Sequence, residues 1–234
     1  MTPHDPSPEL LLRAYAAGIF PMAEDFHSPR FDWIEPHRRG IIPLDDFHVP
    51  RSLRKAMRRG GYELRLDHDF GVVIRACAAP TPDRPSTWLN EPLIRAYSEL
   101  ARVGFAHSVE IWRDGALAGG LYGLALGGAF FGESMFSRVR DASKIALVHL
   151  VELLRAGGFV LLDAQFLTAH LQQFGAVEIS RSTYLARLRR ALPVPAKFPR
   201  PGYPSAGGGS SGGMGSGGGG SGSSGSAHPT GQTS

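Results

Sequence analysis

Residues 141–165 read DASKIALVHLVELLRAGGFVLLDAQ, and the fold class turns on them. Asp141 can cap a long helix from Ala142 to Ala156, and Gly157-Gly158 supplies its stop. Phe159 to Ala164 is then a short, nearly all-apolar strand, the pattern of burial on both faces. Asp163 and Gln165 stand at its end, two residues apart and so on one side of an extended chain. Polar groups there cost free energy unless they are satisfied or used. A carboxylate can accept a proton or hold a donor, and an amide can both donate and accept. The pair is therefore either a site or two structural caps where strand gives way to loop.

Working outward, His107 to Trp112, the turn Asp114-Gly115 and Ala116 to Leu124 make a hairpin, with a third strand at Ala129 to Gly132. Gly132 to Arg138 reads as a loop bearing Glu133, two hydroxyls and a base, suited to ligand binding or else a surface turn. Further upstream the pattern predicts helices at Pro8–Ala17, Arg51–Arg59, Phe70–Cys77 and from the Asn90 cap to Val103, with a strand at Tyr62–Leu66. Met22 to Pro50 is mostly loop, with short strands near Trp33 and Ile41-Ile42. Thr81 to Arg84 is a proline-marked loop. Downstream come a short helix near Thr168–Phe174, a strand near Val177 and a last helix from Ser182 to Leu192.

This order predicts a mixed α+β fold: one mixed sheet with helices on its faces. The expected division is a small N-terminal domain over 1–48, a larger domain over 49–192 and a Pro- then Gly/Ser-rich disordered tail over 193–234. The chain has 234 residues, a net charge of +4 and one cysteine, Cys77. One thiol excludes an internal disulfide and zinc sites built on paired cysteines. No apolar run reaches the ~20 residues of a membrane span. Met1 to Glu9 does not read as an export signal. P-loop, Rossmann and nucleophile-elbow motifs are absent.

Arg51, Arg54, Lys55 and Arg58, extended by Arg59, form a basic stripe on one helix face. It can follow a phosphate backbone or simply be solvated. His107, His149 and His170 lack metal or triad spacing and read as structural. Trp33 and Trp88 fall in loop-like regions, where they can stack a base or plug the core.

Taken together, Ala17-Gly18-Ile19-Phe20-Pro21, Thr87-Trp88, Ala106 to Glu110, Gly120 to Gly123, Gly132 to Arg138, Ala142-Ser143-Lys144 and Leu162 to Gln165 resemble the leucyl/phenylalanyl-tRNA–protein transferase family. The motifs fall in the family's order over roughly residues 8 to 190. The resemblance implies a small N-terminal part before a domain of Gcn5-related N-acetyltransferase type. It implies transfer of leucine or phenylalanine, with methionine admissible, from tRNA to proteins beginning with arginine or lysine, which marks them for degradation. It places Asp163 and Gln165 as the catalytic pair and Glu133 as the acid that meets the acceptor or the aminoacyl amine. Trp33 and Trp88 would line the site of the tRNA 3′ adenosine. Leu121, Phe130, Leu147, Leu150, Leu154 and Leu162 would form the apolar pocket, and the basic stripe would hold tRNA. In that scheme Gln165 orients the amine through its amide oxygen and Asp163 fixes that amide. A cytoplasmic monomer without metal, cofactor or membrane contact is expected.

Two other readings remain. One is an acetyl-CoA-dependent N-acetyltransferase, whose pyrophosphate loop is approached only by Arg155 to Val160 and fails at its last position. The other is a non-catalytic RNA-binding module built on the basic helix.

Overall fold

The computed structural model describes residues 6–81 and 85–199. Helix α1 spans Pro8–Ala16; its first turn is capped by the Ser7 side chain, which accepts from the backbone N–H of Leu10. A two-stranded antiparallel ribbon follows, β1 at Phe20–Met22 and β2 at Asp32–Ile34. The remaining strands are β3 (Arg38–Ile42), β4 (Glu63–Leu66), β5 (Ala106–Arg113), β6 (Ala116–Leu126), β7 (Ala129–Ser137), β8 (Leu161–Gln165) and β9 (Val177–Ser180). They form one sheet in the order β4-β5-β6-β7-β8-β3-β9. Every neighbouring pair is antiparallel except β7 and β8. A parallel pair needs a crossover, and α5 (Ala142–Ala156) provides it.

The other helices are α2 (Arg51–Arg59), α3 (Phe70–Ala78), α4 (Glu91–Arg102), α6 (Ala169–Gln172) and α7 (Arg181–Ala191). They and α5 cover both faces of the sheet, giving two apolar cores. One gathers Leu11, Tyr15, Val73, Tyr97, Phe131, Leu161 and Tyr184; the other gathers Leu53, Leu121, Phe130, Leu147, Leu150 and Leu162. Adjacent residues Leu161 and Leu162 of β8 thus enter opposite cores, as an apolar strand buried on both faces requires. At the hairpin tip, Asp114 and Gly115 both have positive φ, +51° and +73°, which matches the twist of the flanking strands.

Several expectations are corrected. Residues from Gly132 to Ser137 are not a loop: they continue β7, paired to β6 across an irregularity at Tyr122/Gly123. The side chain of Asp141 does not cap α5, because the residue is left-handed at φ +66°; Ser137 Oγ instead accepts from the backbone N–H of Ser143 at 2.8 Å. A boundary at residue 48 cuts through the sheet, since β3 lies between β8 and β9. Residues 193–199 are not a free tail. Lys197 donates its backbone N–H to the Gly157 carbonyl, and Phe198 stacks on Phe130 and His107. The rest of the tail, and all of the Thr81–Arg84 loop but Thr81, lie outside the described residues.

Candidate active site

The pairing of β7 with β8 ends at Phe131 and Asp163. Beyond that point β7 stays with β6, while β8 stays with β3 through Gly40 and Gln165. The strands part, and a cavity of about 320 Å³ opens between them. Its apolar wall includes Ile42, Leu121, Met135, Leu147, Leu150 and Leu162, with Phe20, Met22 and Trp88 on another side. Its polar members include Glu133, Ser134, Asp163, Gln165, Thr168 and His170. An apolar hollow of this size with a few convergent polar groups is the ordinary form of a small-ligand site.

Gly40 explains how the chain leaves β8. A Cβ there would stand 2.6 Å from the Phe166 carbonyl carbon and 2.7 Å from the Leu167 nitrogen, so only glycine admits this close crossing. Gln165 itself is left-handed at φ +55°, inside a tight turn in which the Phe166 N–H donates to the Ala164 carbonyl at 2.6 Å. A non-glycine residue in this region is held there by its surroundings. Here Asp163 Oδ1 accepts the Gln165 backbone N–H at 2.9 Å.

Asp163 is fully buried and tightly bound. Arg39 donates to both its oxygens through Nε (2.9 and 3.1 Å) and to Oδ2 through Nη2 (2.6 Å), and Tyr184 donates its hydroxyl to Oδ2 at 2.7 Å. The Arg39 side chain is only 1% exposed. Its guanidinium sits between the Phe20 and Tyr184 rings, 4.6 and 4.5 Å from their centres, and donates to the Gly18 carbonyl. Burial opposes its charge, but the Asp163 carboxylate outweighs burial and raises its pKa. Burial first, and then Asp163, pushes the Tyr184 hydroxyl upward.

Glu133 is set differently. Oε1 accepts from Gln165 Nε2 at 3.2 Å and Oε2 from the Tyr97 hydroxyl at 3.1 Å. Tyr97 and Tyr15 share a 2.6 Å hydrogen bond. Burial raises the Glu133 pKa to about 8; the tyrosine hydroxyls pull it down, Asp163 raises it and Arg39 lowers it. Burial also holds both tyrosine hydroxyls well above their usual range. The amide of Gln165 is thus fixed by Glu133, not by Asp163 as expected from the sequence. Asp163 fixes the main chain of Gln165 instead.

Among the expected residues, Asp163, Gln165, Glu133, Trp88, Leu121, Leu147, Leu150 and Leu162 come together at the cavity. Phe130 and Leu154 do not line it; both are fully buried in the adjoining core. Trp33 does not line it either: it is 39% exposed on β2, edge-on to Phe31. Arg51, Arg54, Lys55, Arg58 and Arg59 are exposed on α2, whose other face buries Leu53. Lys55 and Arg59 border a second hollow together with Arg113 and Arg140, at the start of α5. His107 faces Asp67, and His149 lies between Tyr62 and Glu152. His170 instead borders the cavity, with its Nε2 buried and, among the described residues, without a hydrogen-bond partner.

Arg39, Tyr15, Tyr97 and Tyr184 carried no local sign of a role. Tyr15 sits on the apolar face of α1, and Arg39 in a segment without periodicity. The Arg155–Val160 segment lies at the C-terminus of α5, where exposed carbonyls disfavour a pyrophosphate.

An apolar slot bordered by an oriented amide and a carboxyl group can hold an apolar substituent with a polar group beside it. Two family models match the chain, the leucyl/phenylalanyl-tRNA protein transferase over residues 41–189 and its N-terminal domain over 4–37. The leucyl/phenylalanyl-tRNA–protein transferase of Paramagnetospirillum magneticum is 59% identical over 82% of this chain and 92% of its own length. The one from Phenylobacterium zucineum is 59% identical over 80% and 85%. The chain belongs to the leucyl/phenylalanyl-tRNA–protein transferase family. Among solved structures, L-PGS from Bacillus licheniformis matches 70% of this chain and 61% of its own at 16% identity and a TM-score of 0.39.

Proposed function

We propose that this chain transfers leucine or phenylalanine, with methionine admissible, from aminoacyl-tRNA to the α-amine of proteins beginning with arginine or lysine. The carrying observation is the cavity between β7 and β8, apolar in depth and bordered by Gln165 and Glu133. The donor ester is already activated, so the site has to orient reactants rather than supply energy; orientation alone is worth up to about 7–11 kcal/mol of barrier. With Gln165 Nε2 turned to Glu133, its amide oxygen is left to orient the amine by accepting a hydrogen bond from it. Asp163 supports this by holding the Gln165 backbone. Glu133 offers its carboxyl oxygens where the acceptor N-terminus enters. Leucine and phenylalanine side chains suit a wall of leucines, whose discrimination among apolar groups is limited to about 1–3 kcal/mol.

The exposed cations of α2 suit the tRNA backbone, in contacts that position without reading sequence. The products would enter N-degron degradation. The reading is of a cytoplasmic monomer, and among the described residues no helix is long and apolar enough to cross a membrane.

The test mixes the protein with leucyl-tRNA and a peptide starting with arginine. Mass spectrometry should find one leucine added at the peptide's front, and none on a peptide starting with an acidic residue. Absence of leucine on the arginine peptide would overturn the reading. Reversing Arg54 and Arg58 to glutamate should weaken tRNA binding and lower the slope of log affinity against log salt by about two, one per lost contact.

A further inference from the structure

We infer that Glu133 takes the proton from the acceptor's α-ammonium, with Tyr97 and Tyr15 as its positioning residues. The inference rests on the transferase reading and goes beyond it by naming the proton acceptor. Two carboxylates stand at the cavity, and a carboxylate offers about four acceptor positions. On Asp163 they are taken by Arg39 Nε, Arg39 Nη2, the Tyr184 hydroxyl and the Gln165 backbone N–H. The group is sealed, with 0% side-chain exposure, and no amine can reach it. Glu133 accepts from Gln165 on one oxygen and Tyr97 on the other, with Tyr15 as a third neutral donor; one of its roughly four positions stays free, and its side chain lines the cavity. An amide is a very weak base, so Gln165 can orient an amine but cannot hold its proton.

The surroundings tune Glu133 to this task. Facing it are Tyr15 from α1, Tyr97 from α4, Arg39 from β3, Asp163 from β8 and, more remotely, Tyr184 from α7; His170 of α6 borders the same cavity. Their balance with burial puts Glu133 at about 8, close to the ~8 of an α-amine, and a matched pair exchanges a proton with little driving force lost.

In the step, Glu133 carboxylate takes one proton from the ammonium. The freed nitrogen lone pair forms the C–N bond at the ester carbonyl. The carbon–oxygen bond to the ribose breaks with its electron pair, and that oxygen takes the second nitrogen proton. Glu133 then releases the first proton to solvent.

The test is single turnover at saturating leucyl-tRNA and arginine-starting peptide, read against pH and against the basicity of the attacking amine. Near pH 8, Glu133→Gln should be slowed about 100-fold with the arginine-starting peptide, and below about tenfold with the same peptide carrying an aminooxy group in place of its α-amine, which has no proton to lose at that pH. Loss by one constant factor on both peptides would mean that Glu133 only positions, and the inference would fall. Tyr97→Phe is the second variant, decisive if Glu133→Gln does not fold. It removes a hydrogen bond that lowers the Glu133 pKa, so the rising limb of the wild-type profile should move to higher pH. An unmoved limb would overturn the inference, as would a His170→Gln variant that reproduced the amine-selective loss in place of Glu133→Gln. Failure of the wild-type protein to transfer leucine at any pH would instead overturn the transferase reading.

Discussion

Asp163 and Glu133 are both acids bordering one cavity, and the protein treats them in opposite ways. Asp163 is wrapped by a guanidinium, a phenol and a backbone amide, and serves as a fixed anion. Glu133 is held only by neutral donors, Gln165, Tyr97 and Tyr15, and faces the cavity. The lesson is that an acid at a site is characterised by its unfilled acceptor positions more than by its proximity. A sealed carboxylate builds the backbone; an open one can meet a substrate.

The contrast can be broken first through stability. Asp163→Asn leaves the Arg39 charge buried without its counter-ion, and unfolding measurements should show a loss of about 3–5 kcal/mol. Glu133→Gln strands no buried cation and should change stability far less, whatever it does to the rate. Equal losses in the two variants would erase the distinction.

A smaller effect separates the two phenols. Tyr184→Phe removes a hydrogen bond to a buried anion and should cost about 1.5–3 kcal/mol by denaturant titration. Tyr97→Phe should cost less, because its partner still faces the cavity.

The smallest effect is a slope. Glu133 has a folded pKa of about 8 against an ordinary 4.5, so between those values the folded state holds one proton more than the unfolded state. The contribution of this group is complete below about pH 4.5, and stability should fall as pH rises toward about 8, by about 1.4 kcal/mol per unit at most. Glu133→Gln should remove that component of the slope, and a slope unchanged in the variant would show that burial does not control this acid.

Much of the scaffold was legible locally. Asn90 does cap α4, its side chain accepting from the Leu93 N–H; the Asp114-Gly115 turn and the strand through Leu162 are also where pattern puts them, because caps, turns and apolar runs act over a few residues. The site was legible only in part. Leu121, Leu147, Leu150 and Leu162 reach the cavity while Phe130 and Leu154 pass behind it, and composition does not separate a residue that faces a hollow from one that faces its neighbour. Gly132 to Ser137 reads as a loop because polar residues interrupt it, yet pairing with β6 makes it strand, as tertiary context overrides local preference.

From its residues alone this chain determined a mixed α+β body, a buried strand ending in Asp163 and Gln165, a basic helix and the resemblance that names its family. The tertiary structure alone decided which acid is sealed and which is open. Arg39 meets Asp163 from 124 residues away and Tyr97 meets Glu133 from 36. Burial and long-range hydrogen bonding set the state of a carboxyl group, and neither is written in its neighbours along the chain.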